Sequence, residues 1–132
     1  MRWYQPLLYL WALPATFIGL LPIPIVLLQG GSLRVKQGIL ELHGGLVTKI
    51  LRGWLPWVGS ASAMTIGHIV WGMDEACLEH SRAHEHVHVR QYERWGPFFI
   101  PAYFIASWLV ARRGLNPYLD NPFEREAYDK AP

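Results

Sequence analysis

A long uncharged apolar run opens the chain and sets it apart from the mixed segments that follow. No residue from Trp3 to Leu33 carries a charge, and residues 6–28 are numerous enough to cross a bilayer as one helix. Its prolines remove backbone donors, and the Pro22-Ile23-Pro24 pair predicts a kink or an end near Leu21. We predict a single membrane anchor with a flexible exit over residues 1–32. A cleaved signal peptide and a buried helix remain alternatives.

The middle of the chain shows the shorter alternation that is typical of strands. Residues 33–43 alternate around Gln37-Gly38, which predicts a β-hairpin. Residues 46–57 favour a short helix, and residues 59–62 a loop. Residues 63–72 are rich in β-branched and aromatic side chains and predict one strand. Together these elements predict a small antiparallel sheet.

The second half of the chain is predicted to be helical. A polar, histidine-rich helix ends at Gly96-Pro97, and the connector at 74–79 has no clear structure in the sequence. A second apolar run, residues 98–111, is too short to span a bilayer comfortably, so we expect a core helix or an interfacial one. The last helix begins at Asn121 as N-cap with Pro122 in its first turn. The predicted class is α+β: an apolar N-terminal helix, a small antiparallel sheet and three helices.

The histidine-rich helix contains the pattern H-E-x-x-H at residues 84–88. On a helix, His84 and His88 lie one turn apart on one face, so both rings can reach the same ion. Glu85, next to that face, can hold a metal-bound water without binding the metal. The pattern therefore predicts two zinc ligands and a general base. The competing interpretation is a solvated histidine-rich helix, and His80 is an alternative ligand.

A downstream glutamate supplies what a catalytic zinc site still lacks. Such a site uses three protein ligands and leaves one position open for water. Glu124 can be the third ligand, and the small Ala127 would let its helix approach the first one closely. Tyr128 lies one turn beyond Glu124 on the same face, and Gln91 returns to the metal face of the first helix. We expect both to support the ligands.

These two motifs, His84-Glu85-His86-Val87-His88 and Glu124-Arg125-Glu126-Ala127-Tyr128, resemble the gluzincin metallopeptidases, in particular the very short minigluzincins. The resemblance covers residues 63–128. It implies Zn²⁺ held by His84, His88 and Glu124, with Glu85 as general base, in a minimal zincin-like domain over residues 33–132. It also implies that a peptide or protein substrate adds to an edge strand at 63–72. Tyr128 stands where many gluzincins carry Asp, and the candidate oxyanion donors are Tyr128, Tyr103 and Arg82.

Charge and cysteine content exclude some classes and leave others open. The formal net charge is +2, and no basic run supports nucleic-acid binding. The single cysteine leaves the redox compartment undetermined. More positive residues follow the apolar run than precede it, which favours a single-pass membrane protein, in contact with lipid, whose domain faces the cytoplasm.

The sequence thus predicts a small membrane-anchored zinc metallopeptidase, a hydrolase of peptide bonds. The first alternative is a non-catalytic membrane protein in which zinc is a structural clasp between two helices. The second is a membrane-anchored interaction module that binds no fixed metal. Glu85 separates them, because only the peptidase needs it, whereas the clasp needs the ligands alone.

Overall fold

The N-terminal apolar run forms three short helices rather than one continuous helix. The structure is a computed structural model, and it describes residues 3–53 and 61–131. The helices are α1 (Gln5–Trp11), α2 (Leu13–Leu20) and α3 (Ile23–Leu28). Each has a proline in its first turn, where the missing backbone donor costs nothing. Among the described residues no single helix could span a membrane, although Gln5–Trp11 and Leu13–Leu28, bent by 68°, have the length and composition together.

Small side chains of these three helices are packed into the main core. Ala12 and Ala15 of α1–α2 and Val26 of α3 are buried, in one cluster with Leu42 and Trp71 of the sheet. A hydrogen bond also links α2 to the sheet: the Trp71 indole nitrogen donates to the backbone carbonyl of Gly19 at 3.2 Å. Most of the larger side chains of the run are exposed, although Leu20 and Ile23 pack against the core. One side of the N-terminal run is therefore covered by the sheet.

The first predicted hairpin is confirmed. Strands β1 (Ser32–Lys36) and β2 (Ile39–His43) pair antiparallel. Gln37 and Gly38 connect them with positive φ angles of 55° and 80°, as a two-residue turn requires. Helix α4 (Gly45–Gly53) then follows. The rest of the predicted helix and the start of the predicted loop, residues 54–60, lie outside the described residues.

The prediction of one strand over 63–72 is wrong. The segment forms a second hairpin, β3 (Ala63–Ile66) and β4 (Ile69–Gly72). Its turn lies at Gly67, whose φ of 68° favours glycine. The sheet order is β1-β2-β4-β3, and β4 runs parallel to β2. The sheet is therefore mixed, not antiparallel, and only β3 of the predicted edge strand lies at an edge.

The three C-terminal helices have clear boundaries. Helix α5 (Glu75–Trp95) starts at Asp74, whose carboxylate accepts from the Cys77 amide at 2.8 Å. A short 3₁₀ turn leads to α6 (Phe99–Arg112). Helix α7 (Pro122–Lys130) begins after Asn121, whose side chain accepts from the Phe123 amide as predicted. Helix α5 packs between β3 and α7, and this places the histidine motif beside the glutamate.

Helix α6 is a core helix on one face only. Phe99 and Ser107 are buried, whereas Ile105 and Trp108 are 58% and 53% exposed. A helix that is apolar on all sides can bury any face that its neighbours cover. In α6 the neighbours cover less than half of the helix surface. The prediction of an apolar core helix therefore describes that face alone.

Candidate metal centre

Helices α5 and α7 bring three predicted ligand atoms together. The Glu124 Oε1 atom lies 3.2 Å from His84 Nε2 and 3.0 Å from His88 Nε2. Ligand atoms of His84, Glu85 and His88 also lie within 4.8 Å of one another. Side chains from two turns of α5 and from the first turn of α7 thus converge on one point.

The spacing of these atoms fits a zinc ion. Zinc ligands sit about 2.0–2.1 Å from the metal, so a tetrahedral arrangement separates them by about 3.3 Å. The two distances from Glu124 Oε1 are close to that value. Two imidazole nitrogens and one carboxylate oxygen are also a donor set that zinc accepts. His84, His88 and Glu124 can therefore hold the ion with little movement.

The pKa values of His88 and Glu124 are shifted in opposite directions. Burial opposes the charge on His88, but the hydrogen bond to Glu124 and nearby carboxylates outweigh it and raise its pKa to about 9. Burial likewise opposes the charge on Glu124, yet hydrogen bonds from both histidines lower its pKa to about 2. Without a metal, a proton on His88 takes the place of the cation.

Gln91 fixes the orientation of the His88 ring. Its amide oxygen can only accept, so His88 Nδ1 donates to it, at 2.8 Å, which leaves Nε2 to face Glu124. The Gln91 side chain is fully buried. Its nitrogen donates to the Phe123 carbonyl at 3.0 Å and to Glu126 Oε1 at 2.6 Å, so it also ties α5 to α7. The sequence indicated Gln91 as a residue that supports the ligands.

Glu85 is buried beside the ligands and is held by the sheet. Its Oε2 atom lies 3.8 Å from His84 Nε2. The Thr65 hydroxyl of β3 donates to Oε1 at 2.9 Å. Burial raises the pKa of Glu85, although the nearby histidines oppose this. A raised pKa suits a carboxylate that must take up a proton. Thr65 was missed because a strand residue gives no motif in sequence.

Three tyrosines lie around the candidate centre, and one of them contacts Glu124. The Tyr103 hydroxyl donates to Glu124 Oε2 at 2.6 Å, so it already engages the proposed ligand. Tyr128 packs its ring 4.5 Å from that of His84, and its hydroxyl lies 3.3 Å from the Tyr118 hydroxyl. Tyr128 therefore supports His84, a candidate ligand, through its ring. Tyr118, in the loop before α7, was not singled out from the sequence.

Two other candidates lie away from the centre. The Arg82 guanidinium donates twice to Glu41 of β2, at 2.8 and 2.9 Å, so its donors are engaged elsewhere. His80 is exposed on α5 and is not part of the group of converging ligand atoms. The structure thus separates Arg82 and His80 from the four residues that converge.

A cavity of about 440 Å³ opens next to Glu85, His88 and Glu124. Its walls are almost entirely apolar, and they come from α2, β3, β4, α6 and the loop before α7. Apart from the three candidate site residues, the polar residues of the lining include Thr65, Tyr103, Ser107 and Tyr118. This cavity is large enough for an apolar side chain and the adjoining backbone of a peptide.

Comparison with known proteins adds no further assignment. No protein-family model, characterised protein or solved structure gives a significant match to the chain.

Proposed function

We propose that the protein is a small zinc metallopeptidase of gluzincin type. The observation that carries the proposal is the position of Glu124 Oε1, 3.2 and 3.0 Å from the two histidine nitrogens, with Glu85 buried next to them. His84, His88 and Glu124 are the proposed ligands of Zn²⁺. A bound zinc ion would lower the pKa of a water molecule and polarise a carbonyl.

The roles of the chain's own residues follow from their positions. Glu85 accepts the proton of the attacking water and returns it to the leaving amine, because its raised pKa matches both steps. Thr65 holds the Glu85 carboxylate in place by its hydrogen bond. Tyr118 lines the same cavity, and its hydroxyl is the proposed donor to the developing oxyanion, because the Tyr103 hydroxyl donates to Glu124.

Strand β3 is the proposed place for the substrate backbone. It is at the edge of the sheet, and Ala63, Met64 and Thr65 line the cavity that reaches Glu85. An extended peptide can add to such an edge through main-chain hydrogen bonds while one side chain enters the cavity. The proposed partners are therefore a peptide or protein substrate and, through the apolar N-terminal run, membrane lipid. The excess of positive residues after the apolar run favours a catalytic site on the cytoplasmic side of the membrane.

A structural zinc clasp is the second candidate. Glu124 joins α7 to two turns of α5, so a metal there would hold the two helices together even without catalysis. This candidate uses the same three ligands but gives Glu85 no role.

The Glu85→Gln variant distinguishes the two candidates. We expect about one zinc per chain by mass spectrometry in both the wild type and the variant, and peptide-library cleavage by the wild type only. Glu79→Gln, the same change at an exposed position of α5, is the control and should cleave normally. Equal cleavage by the wild type and Glu85→Gln would eliminate the proposed mechanism. Zinc binding without any cleavage would favour the clasp.

A further inference from the structure

The N-terminal helices expose most of their large apolar side chains. Their small residues face the sheet, which leaves the bulky ones outside. Leu28 is 88% exposed and Leu7 is 62% exposed. The other exposed side chains of this group are Trp3, Leu10, Trp11, Leu13, Phe17, Ile18, Leu21, Ile25 and Leu27. Soluble monomers rarely expose a contiguous apolar surface of this extent.

Helix α6 continues this surface. The Trp11 and Phe98 rings are in contact, with centroids 6.1 Å apart, at the junction between α1 and the start of α6. From there the exposed apolar side chains of α6 extend the surface. They are Phe104, Ile105, Trp108 and Leu109. We call the combined set, from α1–α3 and α6, the apolar face.

The cavity beside the metal centre reaches the apolar face. Ile18 of α2 and Ile100 and Phe104 of α6 line the same cavity as Glu85 and His88. Ile18 and Phe104 are also exposed. The cavity that contains the proposed catalytic residues therefore borders both parts of the apolar face.

The composition of the apolar face matches lipid. Neither contributing segment, residues 3–33 or 98–111, contains a charged residue. The face ends at the exposed pair Arg112-Arg113, and the Arg112 guanidinium lies 4.9 Å from the centre of the Trp108 ring. Tryptophan next to arginine is typical of the boundary between acyl chains and headgroups. Most protein–protein interfaces have a polar rim and hydrogen bonds among their apolar contacts. A lipid surface requires neither.

The packing of the N-terminal run also determines how it can meet a bilayer. Its helices bend by 68°, and Ala12, Ala15 and Val26 are in the core of the same domain. A run held against α5, the sheet and α4 along its length would have both ends on the protein's side of the membrane. This packing favours a different topology from the single-pass anchor expected from the sequence, which stays a prediction.

We propose that the apolar face lies in one leaflet of a bilayer, and that the cavity takes apolar segments of membrane-bound polypeptides directly from the lipid interface. The first half of this proposal stands on the apolar face alone. The second half rests on the proposed peptidase function.

Thiol accessibility tests the topology without any activity. In a Cys77→Ser background, Trp3→Cys and Lys36→Cys place single cysteines at the two ends of the uncharged run. A membrane-impermeant maleimide should label both from the same side, as compared in spheroplasts and inverted vesicles of a bacterial host. Ala76→Cys, on the exposed start of α5, reports the side of the domain. Labelling of the two ends from opposite sides would establish a spanning anchor and overturn the proposal.

Lipid partitioning tests the apolar face. The full chain should bind vesicles of phosphatidylcholine containing phosphatidylglycerol, and Ile105→Glu should weaken its partitioning about tenfold. Ala76→Glu adds the same charge at an exposed position off the apolar face and should bind as the wild type does. A protein that stays in the aqueous phase, as a dimer or with another protein on the apolar face, would contradict the proposal. An equal loss in both variants would contradict it as well.

Cleavage of a peptide pair tests the substrate class. An apolar peptide anchored in the vesicles should be cleaved at least tenfold faster than the same sequence free in solution. Equal rates, with the topology confirmed, would overturn the lipid route while leaving the peptidase proposal intact. Cleavage of neither peptide, with zinc bound, would count against the peptidase proposal and with it the substrate class, but not the membrane topology.

Discussion

Two buried histidine–glutamate pairs lie on different sides of α5, and only one belongs to a candidate site. His88 contacts Glu124 at 3.0 Å, and His68 contacts Glu93 at 2.9 Å. In both pairs the side chains are less than a tenth exposed. Glu93 is nine residues beyond His84, about half a turn away around the helix. By distance and burial the two pairs are nearly the same.

Their surroundings are different. The His88–Glu124 pair has a second histidine at 3.2 Å, Glu85 close by and a cavity beside it. In the His68–Glu93 pair, the Gln5 amide nitrogen donates to Glu93 at 2.6 Å. The centroid of the Tyr9 ring lies 4.3 Å from that of His68. A cavity also borders Glu93, so the convergence of several ligand atoms, rather than open space or the ion pair itself, distinguishes a site from a structural contact. The second pair joins α1 to α5 and to the β3–β4 turn.

Removing the histidine of each pair should give the largest contrast. His88→Ala deletes one of three ligands, so zinc content should fall from about one per chain to near zero. His68→Ala should keep its zinc and lower the free energy of unfolding by about 1–3 kcal/mol, because Glu93 loses a buried partner. Metal analysis and denaturant unfolding measure the two effects. Zinc loss in both variants would show that the pairs are coupled.

Each pair is also held by a glutamine, and the two should differ in their effect on metal binding. Gln91→Leu removes the acceptor that orients His88, so zinc affinity should fall about 10–100-fold. Gln5→Leu removes a donor to Glu93 and should leave zinc affinity within about twofold of the wild type. Competition with a chromogenic chelator gives both affinities. A similar loss for Gln5→Leu would contradict the division of roles.

The pH dependence of stability should come from the first pair when zinc is absent. The His88 pKa is raised from 6.5 to about 9, so its stabilisation is complete below pH 6.5 and disappears as pH rises through 9. The Glu124 pKa is lowered from 4.5 to about 2, so its contribution is present above pH 4.5 and is lost as pH falls through 2. The metal-free protein should therefore be less stable at pH 9.5 than at pH 5.5.

Denaturant unfolding with a chelator present measures this difference. Glu124→Gln is the control, because an amide cannot stabilise a charged His88, and its stability should change less between pH 5.5 and 9.5. An unchanged pH dependence in the variant would assign the titration to other groups.

The smallest effect should come from the Tyr103 hydroxyl. Tyr103→Phe removes one hydrogen bond to Glu124 and should weaken zinc binding about three- to tenfold, the range of a single hydrogen bond. Among the described residues, the Tyr118 side chain is hydrogen-bonded only to the Tyr128 hydroxyl. Tyr118→Phe should therefore leave zinc affinity unchanged. Isothermal titration with zinc compares them. An equal loss in both would mean that the tyrosines act through packing.

Sequence reasoning was most successful where a local pattern carried its own geometry. The hairpin at 32–43, the N-cap at Asn121 and the end of α5 at Gly96 depend on neighbouring residues, and all are present. The same holds for His84 and His88, because helical spacing alone places them on one face. The turn at Gly67 was missed because strong strand formers on both sides hide a single glycine.

What the sequence determined by itself was therefore the chemistry available at each position and the local elements that carry it. Only the tertiary structure decided which groups meet: Glu124 with His84 and His88, Thr65 with Glu85, and the parallel pairing of β2 with β4. It also decided that Ala12, Ala15 and Val26 of the N-terminal run join the sheet in one core. Contacts between distant segments depend on how whole faces pack, and no local spacing encodes them. His68 and His88 are equally ordinary histidines in sequence, and their surroundings alone make them different.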